Sequence, residues 1–462
     1  KNCNFVRNFR IMRYITPILS LFAIILASCN IESETSAEMS SETRVYTFTF
    51  QADTANPGLT DAVYKVEHKG DSSGIIYNID SLRFGTRLDS VVPIITYIAT
   101  PGIVSYILPD TTIISEGTDT LDFSRGPIFM LVTATDMETR RSYQIDLKVH
   151  QVDPDLYVWK QLTEQIFEPQ YCETKAVYKN EKLYLFVNNG LSTQLYESAD
   201  GTQWKSLARE IPTLPTPCDV RDIVLNNDTL YYIANNHLYR SADGMNWEDI
   251  NFNATNYRLV NMVMSYHNKA WCIIQEEDNL KLANVVGDTI SPVTNIPEMP
   301  NGVLPAHFPI SDFAALEFNS SSERPRAMVV GGRSLNGEVV NSRWNIEYSA
   351  TDGYRIKDFS ITQPSFESLT GASIIQYDNR LVMFGGIDSD LALRGDMLYS
   401  DDEGMNWYVP DTTHNKLPST YQSREKQSVI VDKQNNIYII GGQSQTQTFS
   451  DVYRGFLNSI NW

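Results

Sequence analysis

Metal, redox and nucleophilic chemistry needs reactive side chains at short spacings, and this chain offers few. Its six histidines, His68, His150, His237, His267, His307 and His414, are scattered, with no H-x-H or H-x-x-x-H pair to share a metal. Cys172, Cys218 and Cys272 are odd in number and lack C-x-x-C spacing, which argues against zinc or a thioredoxin-like couple; each reads as a small buried hydrophobe. No GxSxG, HExxH, Walker or GxGxxG signature occurs, so no catalytic residue, cofactor or metal is expected. One cysteine is set apart by what precedes it. Arg10 and Arg13 lead into an apolar run from Ile15 to Leu26, then Ala27, Ser28 and Cys29. The run is too short to span a bilayer but has the length of a signal-peptide core. Charge, apolar run and small residues stand in the order of a cleaved signal, with the cysteine directly after them.

This segment resembles a bacterial lipobox. Met12 stands where the signal would start, residues 1–28 are expected to be removed, and Cys29 would carry the lipid that holds the protein on the outer membrane, facing the periplasm or the cell surface. Residues 29–43 are rich in Ser, Thr and Glu, with too little apolar surface to offset ordering entropy, and read as a flexible tether. Their acids resemble the surface-export signals of lipoproteins in the Bacteroides group. The chain carries a formal charge of -19, and losing Lys1, Arg7, Arg10 and Arg13 would take it to -23. Such acidity argues against a nucleic-acid partner, which needs a basic footprint, and against an electrostatic grip on anionic lipid.

The elements that must position any site are strands. From 44 to 150, alternating patterns such as Val45-Tyr46-Thr47-Phe48-Thr49-Phe50 and Ser142-Tyr143-Gln144-Ile145-Asp146-Leu147 predict a small β-sandwich. The stretch Met130-Leu131-Val132-Thr133-Ala134-Thr135-Asp136 followed by Ser142-Tyr143-Gln144-Ile145 is similar to the last strands of cadherin-like or Ig-like modules. From 155 to 462 an apolar segment recurs: Leu183–Phe186, Leu230–Ile233, Ala270–Ile273, Ala327–Val330, Leu381–Phe384 and Ile437–Ile440, at intervals of 47, 40, 57, 54 and 56 residues. That period predicts six four-stranded propeller blades. Tyr157-Val158-Trp159-Lys160 precedes the first unit and is expected to close the ring as the outer strand of the last blade, with Trp462 a competitor for that place.

Two kinds of punctuation accompany the repeat. The pairs Gly331-Gly332, Gly385-Gly386 and Gly441-Gly442 end the last three units and resemble the kelch repeat. Ser198-Ala199-Asp200-Gly201-Thr202-Gln203-Trp204, Ser241-Ala242-Asp243-Gly244-Met245-Asn246-Trp247 and Ser400-Asp401-Asp402-Glu403-Gly404-Met405-Asn406-Trp407 resemble Asp-boxes. Only the last has the full S-x-D-x-G-x-x-W spacing; the others lack one residue between Asp and Gly, and Ser349-Ala350-Thr351-Asp352-Gly353-Tyr354 is degenerate. Their role is a hairpin in which Ser and Asp bond the turn backbone and Trp packs into the blade.

Cys29, the Ig-like module and the six kelch-like blades together resemble Bacteroides lipoproteins of the DUF6242 family. That resemblance implies an all-β chain, an N-terminal Ig-like β-sandwich followed by a six-bladed kelch-like β-propeller, and no reaction. Asp-boxes also occur in sialidases, which need an arginine triad and a F/Y-R-I-P motif; the nearest match, Tyr257-Arg258-Leu259-Val260, lacks the proline and is placed within the second repeat. Kelch glycines also occur in galactose oxidase, whose copper needs histidine and tyrosine ligands. Arg221, Arg258 and Arg424 fall near inner-strand starts and are candidates for a ligand face. Long connections from Arg209 to Arg221, Ile296 to Asp312 and Pro410 to Lys426 reach the face that carries the glycine pairs, and loops on β scaffolds commonly carry function. The sequence therefore points to a non-catalytic module binding a glycan or protein, with a sialidase-like, glycoside-processing propeller as the alternative.

Overall fold

A computed structural model describes residues 39–56, 58–170, 172–250, 256–360 and 367–458. Met12, Cys29 and Trp462 lie outside the described residues. The chain divides into two compact units, Lys1–Gln151 and Val152–Trp462.

In the first unit, Val45–Phe50 and Pro93–Tyr97 form a two-stranded antiparallel sheet. A six-stranded sheet runs in the order Tyr64–Lys69, Ser73–Asn78, Arg140–Asp146, Ile128–Thr133, Ile103–Ile107, Thr112–Ile114. Alternation turns one face of a strand inward, as in Arg140–Asp146, where Arg141, Tyr143 and Ile145 are buried. Phe48, Phe50, Tyr64 and Phe123 meet edge to face at 5.1 to 5.6 Å between centroids, and this apolar centre makes the unit a β-sandwich. The sandwich also grips the end of the expected tether. Ser40 N donates to Thr135 Oγ1 at 2.8 Å and Thr43 is buried, so ordered chain begins before residue 44.

The second unit is a six-bladed propeller. The inner strands, in blade order, are Glu173–Lys179, Val224–Asn226, Arg258–Tyr266, Ala314–Asn319, Ser373–Tyr377 and Ser428–Val431. Each is followed by an antiparallel second strand, and the six recurring apolar segments all lie on those second strands. They read as continuous apolar runs because blades cover both of their faces; every residue of Ile437–Ile440 is buried. The inner strands neighbour one another in a ring, with the 3-10 turn Val220–Asp222 filling the step between blades 1 and 2. The fourth strand of blade 5 is reduced to a bridge between Tyr399 and Tyr408. Tyr157–Thr163 pairs with Val452–Leu457 as the outer strand of blade 6, so both ends of the unit share one sheet. Trp159 sits opposite Gly455, where a side chain would collide with its indole.

The three Asp-box-like hairpins have the same construction despite unequal length. Ser198, Ser241 and Ser400 Oγ accept from Gly201, Gly244 and Gly404 N at 2.9, 2.9 and 2.8 Å. Asp200, Asp243 and Asp402 Oδ1 accept backbone N–H groups further along the turn, each at 2.8 Å. Trp204, Trp247 and Trp407 Nε1 return to the carbonyls of those glycines at 3.0, 3.0 and 3.1 Å. The extra residue in the third copy, Glu403, is absorbed at a positive φ of 61°. Each turn seats its glycine on the second strand of the preceding blade: Gly201 on Tyr438, Gly244 on Phe186, Gly404 on Met328. These motifs weld neighbouring blades and carry no reactive group.

The three tryptophans are not equally enclosed. Trp247 is 5% exposed against Phe186, whereas Trp204 and Trp407 are half-buried, less enclosed than the motif suggested. Trp247→Ala is therefore expected to destabilise the propeller by about 3–5 kcal/mol and Trp407→Ala by roughly half that. Urea denaturation followed by far-UV circular dichroism would check the order, and equal losses at both positions would contradict it.

Candidate binding site at the channel mouth

Antiparallel strands reverse at every turn, so the ends of the second strands return to the face where the inner strands start. Three long connections also end there, and their last residues meet. Arg221 pairs through Nη1 with Asp312 Oδ1 and lies 2.7 Å from Asp219 and 3.6 Å from Glu173 through Nη2. Lys426 Nζ is 3.8 Å from the same Asp312 oxygen, and Arg333 Nε 3.4 Å from its other oxygen. Burial tends to raise the Asp312 pKa, but Arg221 and Lys426 outweigh it and hold the carboxyl below its ordinary range. The loops are not slack on the way: Ile211, Leu214 and Val220 in one, and Ile296, Met299 and Phe308 in another, are buried in blade cores. Packing thus fixes where the charged ends arrive.

Behind this cluster lies a cavity of about 170 Å³ lined from all six blades, with Lys175, Arg221, Asp222, Met262, Asp312, Ser373 and Lys426 among its walls. Lys175 keeps part of its surface open to the channel yet is surrounded by protein, and burial pushes its ammonium below the usual lysine range. Burial, reinforced by Asp219, pushes Asp222 up to about 7. Burial and Asp219 likewise raise Glu173. Charge-shifted groups facing a cavity on rigid strands are what a recognition or reaction site requires.

Of the arginines singled out from sequence, Arg221 alone lines this cavity. Arg424 is fully buried, with Nη1 2.5 Å from Asp451 Oδ1 and 3.0 Å from the Gly441 carbonyl, its guanidinium 3.9 Å from the Phe449 ring centroid. It binds the loop before blade 6 to the blade itself. Arg258 opens the inner strand of blade 3, outside the second blade, and is exposed beside Gln275 at 2.6 Å. The three do not converge. The glycine pairs are structural neighbours of the mouth: Gly331 lies under the Leu369 carbonyl, Gly385 under Arg424 and Gln427, and Gly441 against Thr174. Gly332, Gly386 and Gly442 follow at φ 97°, 99° and 96°. Lys175, Asp222 and Asp312 were not singled out as site residues from sequence. Their signal is register: charged residues at or just before inner-strand starts, visible once the repeats are aligned there.

Among known families, the one described as the DUF6242 beta propeller domain matches residues 153–462, and the DUF6242 N-terminal domain matches residues 34–147. The chain belongs to the DUF6242 family. A solved chain titled "Structure of YjhT" is similar to this DUF6242 protein, with TM-score 0.46 and 12% identity over 63% of this chain and 96% of that one. No curated protein matches it.

The charge pattern of the DUF6242 mouth has a consequence for stability. Asp222 has a folded pKa raised above its unfolded value, so its contribution favours folding fully at low pH and is lost as pH rises from about 4 through about 7. Asp222→Asn is expected to remove that slope and to stabilise the propeller by about 1–2 kcal/mol at pH 8, discounted for channel water, while changing little at pH 4. Urea unfolding at both pH values measures it; an equal effect at both would refute the assignment.

Proposed function

We propose that this protein is a non-catalytic envelope binding protein that takes a glycan or protein ligand at the channel mouth, on the face carrying Gly331, Gly385 and Gly441. One observation carries the reading: three long loops from different blades, each held by buried apolar residues or by the buried Arg424, deliver Arg221, Asp312 and Lys426 to one ion-pair cluster over a cavity. A preformed polar rim on a rigid scaffold suits binding, because little conformational entropy is lost when a ligand arrives. The dispersal of Arg221, Arg258 and Arg424 weighs against a sialidase-like triad built from those three, while the meeting of Arg221 and Arg333 with Asp312 keeps a glycoside-processing propeller as the alternative. Cys29 acylation would tether the protein to the outer membrane. Mass spectrometry of the native protein tests the tether, since a lipid-modified Cys29 terminus is expected and an unmodified terminus elsewhere would overturn it.

The binding reading is tested by glycan arrays and pull-downs with the full-length protein and its Lys426→Glu variant. A ligand lost at least roughly tenfold in the variant supports the mouth. Turnover of a bound glycan, or binding indifferent to the variant, refutes the reading.

A further inference from the structure

We propose that the channel cavity is a carboxylate pocket for one acidic sugar residue, gripped by Lys175. The inference rests on the mouth being a binding site and names its ligand chemistry. Three cations line the cavity, Lys175, Arg221 and Lys426, together with two acids, Asp222 and Asp312, while Asp219 and Glu173 stand against Arg221. Arg221 and Lys426 are engaged with Asp312, and Arg221 also with Asp219 and Glu173. The Lys175 side chain, by contrast, makes no ion pair or hydrogen bond among the described residues. A half-buried ammonium compensated only by longer-range attraction to Asp222 and Asp219 is incompletely satisfied, and a ligand carboxylate would supply the missing acceptor.

Two further polar groups in the lining are unpaired. Arg221 Nε is buried without an acceptor, although the ends of the same guanidinium are saturated with acids. Thr174, 2% exposed, has a hydroxyl with no partner and stands next to Lys175 in the chain. Both atoms are sealed from the cavity, Thr174 Oγ1 against Gly441, so the Lys175 ammonium with its three N–H donors is the group left to meet a carboxylate.

Size selects the sugar over a peptide. Pockets for drug-sized ligands run to about 300–1,000 Å³, so a cavity of about 170 Å³ suits one small ring rather than several peptide residues.

The test is calorimetric titration of the full-length protein with trigalacturonate, a glucuronate-terminated trisaccharide and 3′-sialyllactose, each beside its methyl ester, with triglutamate as the peptide arm. At least one acidic sugar is expected to bind roughly tenfold or more tightly than its own ester. Lys175→Met should erase that preference and Lys175→Arg retain most of it, with Lys175→Gln replacing the Met variant if the latter does not fold. Equal binding of acid and ester, triglutamate binding as tightly as the sugars, a preference that survives in Lys175→Met, or no binding by any probe overturns the carboxylate pocket. The two readings fail separately: a neutral glycan or protein ligand that is lost in Lys426→Glu but indifferent to Lys175→Met leaves the mouth as the binding site and removes the carboxylate pocket.

Discussion

Arg424→Met is expected to destabilise the propeller by about 3–5 kcal/mol, because it removes one half of a buried ion pair and leaves the other without a counter-charge in low dielectric. The guanidinium is 0% exposed and its partner Asp451 13%; the same group donates to the Gln422 and Gly441 carbonyls and lies between Tyr421 and Phe449. Asp451 would be left as a carboxylate facing aromatic rings. The double variant Arg424→Met with Asp451→Leu is expected to recover most of the loss, since replacing both charges by apolar groups of similar volume is often close to neutral. Denaturation midpoints of the two single variants and the double variant form the cycle that measures this. Ligand binding at the mouth should survive in the double variant; its loss would return Arg424 to the candidate ligand contacts from which its burial removes it.

Gly331→Ala is the second large effect, expected at about 3–5 kcal/mol. Gly331 sits at φ 63°, where an L side chain costs about 1–2 kcal/mol, and its Cβ would overlap the Leu369 carbonyl oxygen, which belongs to backbone and cannot swing aside. Gly337, six residues on, is the control: at φ 80° it has nothing within 4 Å of the place a Cβ would take, so Gly337→Ala should show the backbone cost alone. Comparing the two by thermal unfolding separates strain from collision. Equal effects would mean that the approach of blade 5 to blade 4 at Leu369 is not tight.

The second strands were legible because enclosure on both faces writes itself as an apolar run, and the hairpins because Ser, Asp, Gly and Trp each have one task in the turn. The seam strand Tyr157–Thr163 was legible from its Trp159-Lys160 likeness to Trp204-Lys205. The mouth was not. Inner strands face a polar channel on one side, so they carry a weaker pattern, and one of them, Val224–Asn226, is only three residues long. Arg221 and Arg424 each precede an inner strand by a few residues, yet one lines the cavity and the other is sealed by Asp451, 27 residues further along the chain. Distance along the chain says nothing about that choice. Lys175 was overlooked because a lysine in the strand Glu173–Lys179, which ends on a second one, passes for an exposed position until the channel is known to lie on that side.

The seam also decides how the propeller bears load. Any pull arriving along the chain from residues before 157 acts first on Tyr157–Thr163, the strand that completes the last blade. That strand is not held by blade 6 alone: Thr163 Oγ1 donates to the Gly201 carbonyl at 3.1 Å in the first blade's hairpin. Asp153, just ahead of it, is bound by Asn458 Nδ2 at 2.8 Å and by His414 at 3.0 Å. Tension is therefore shared between the first and last blades before any strand can peel, and the ring behaves as a buckle whose tongue is the segment under traction.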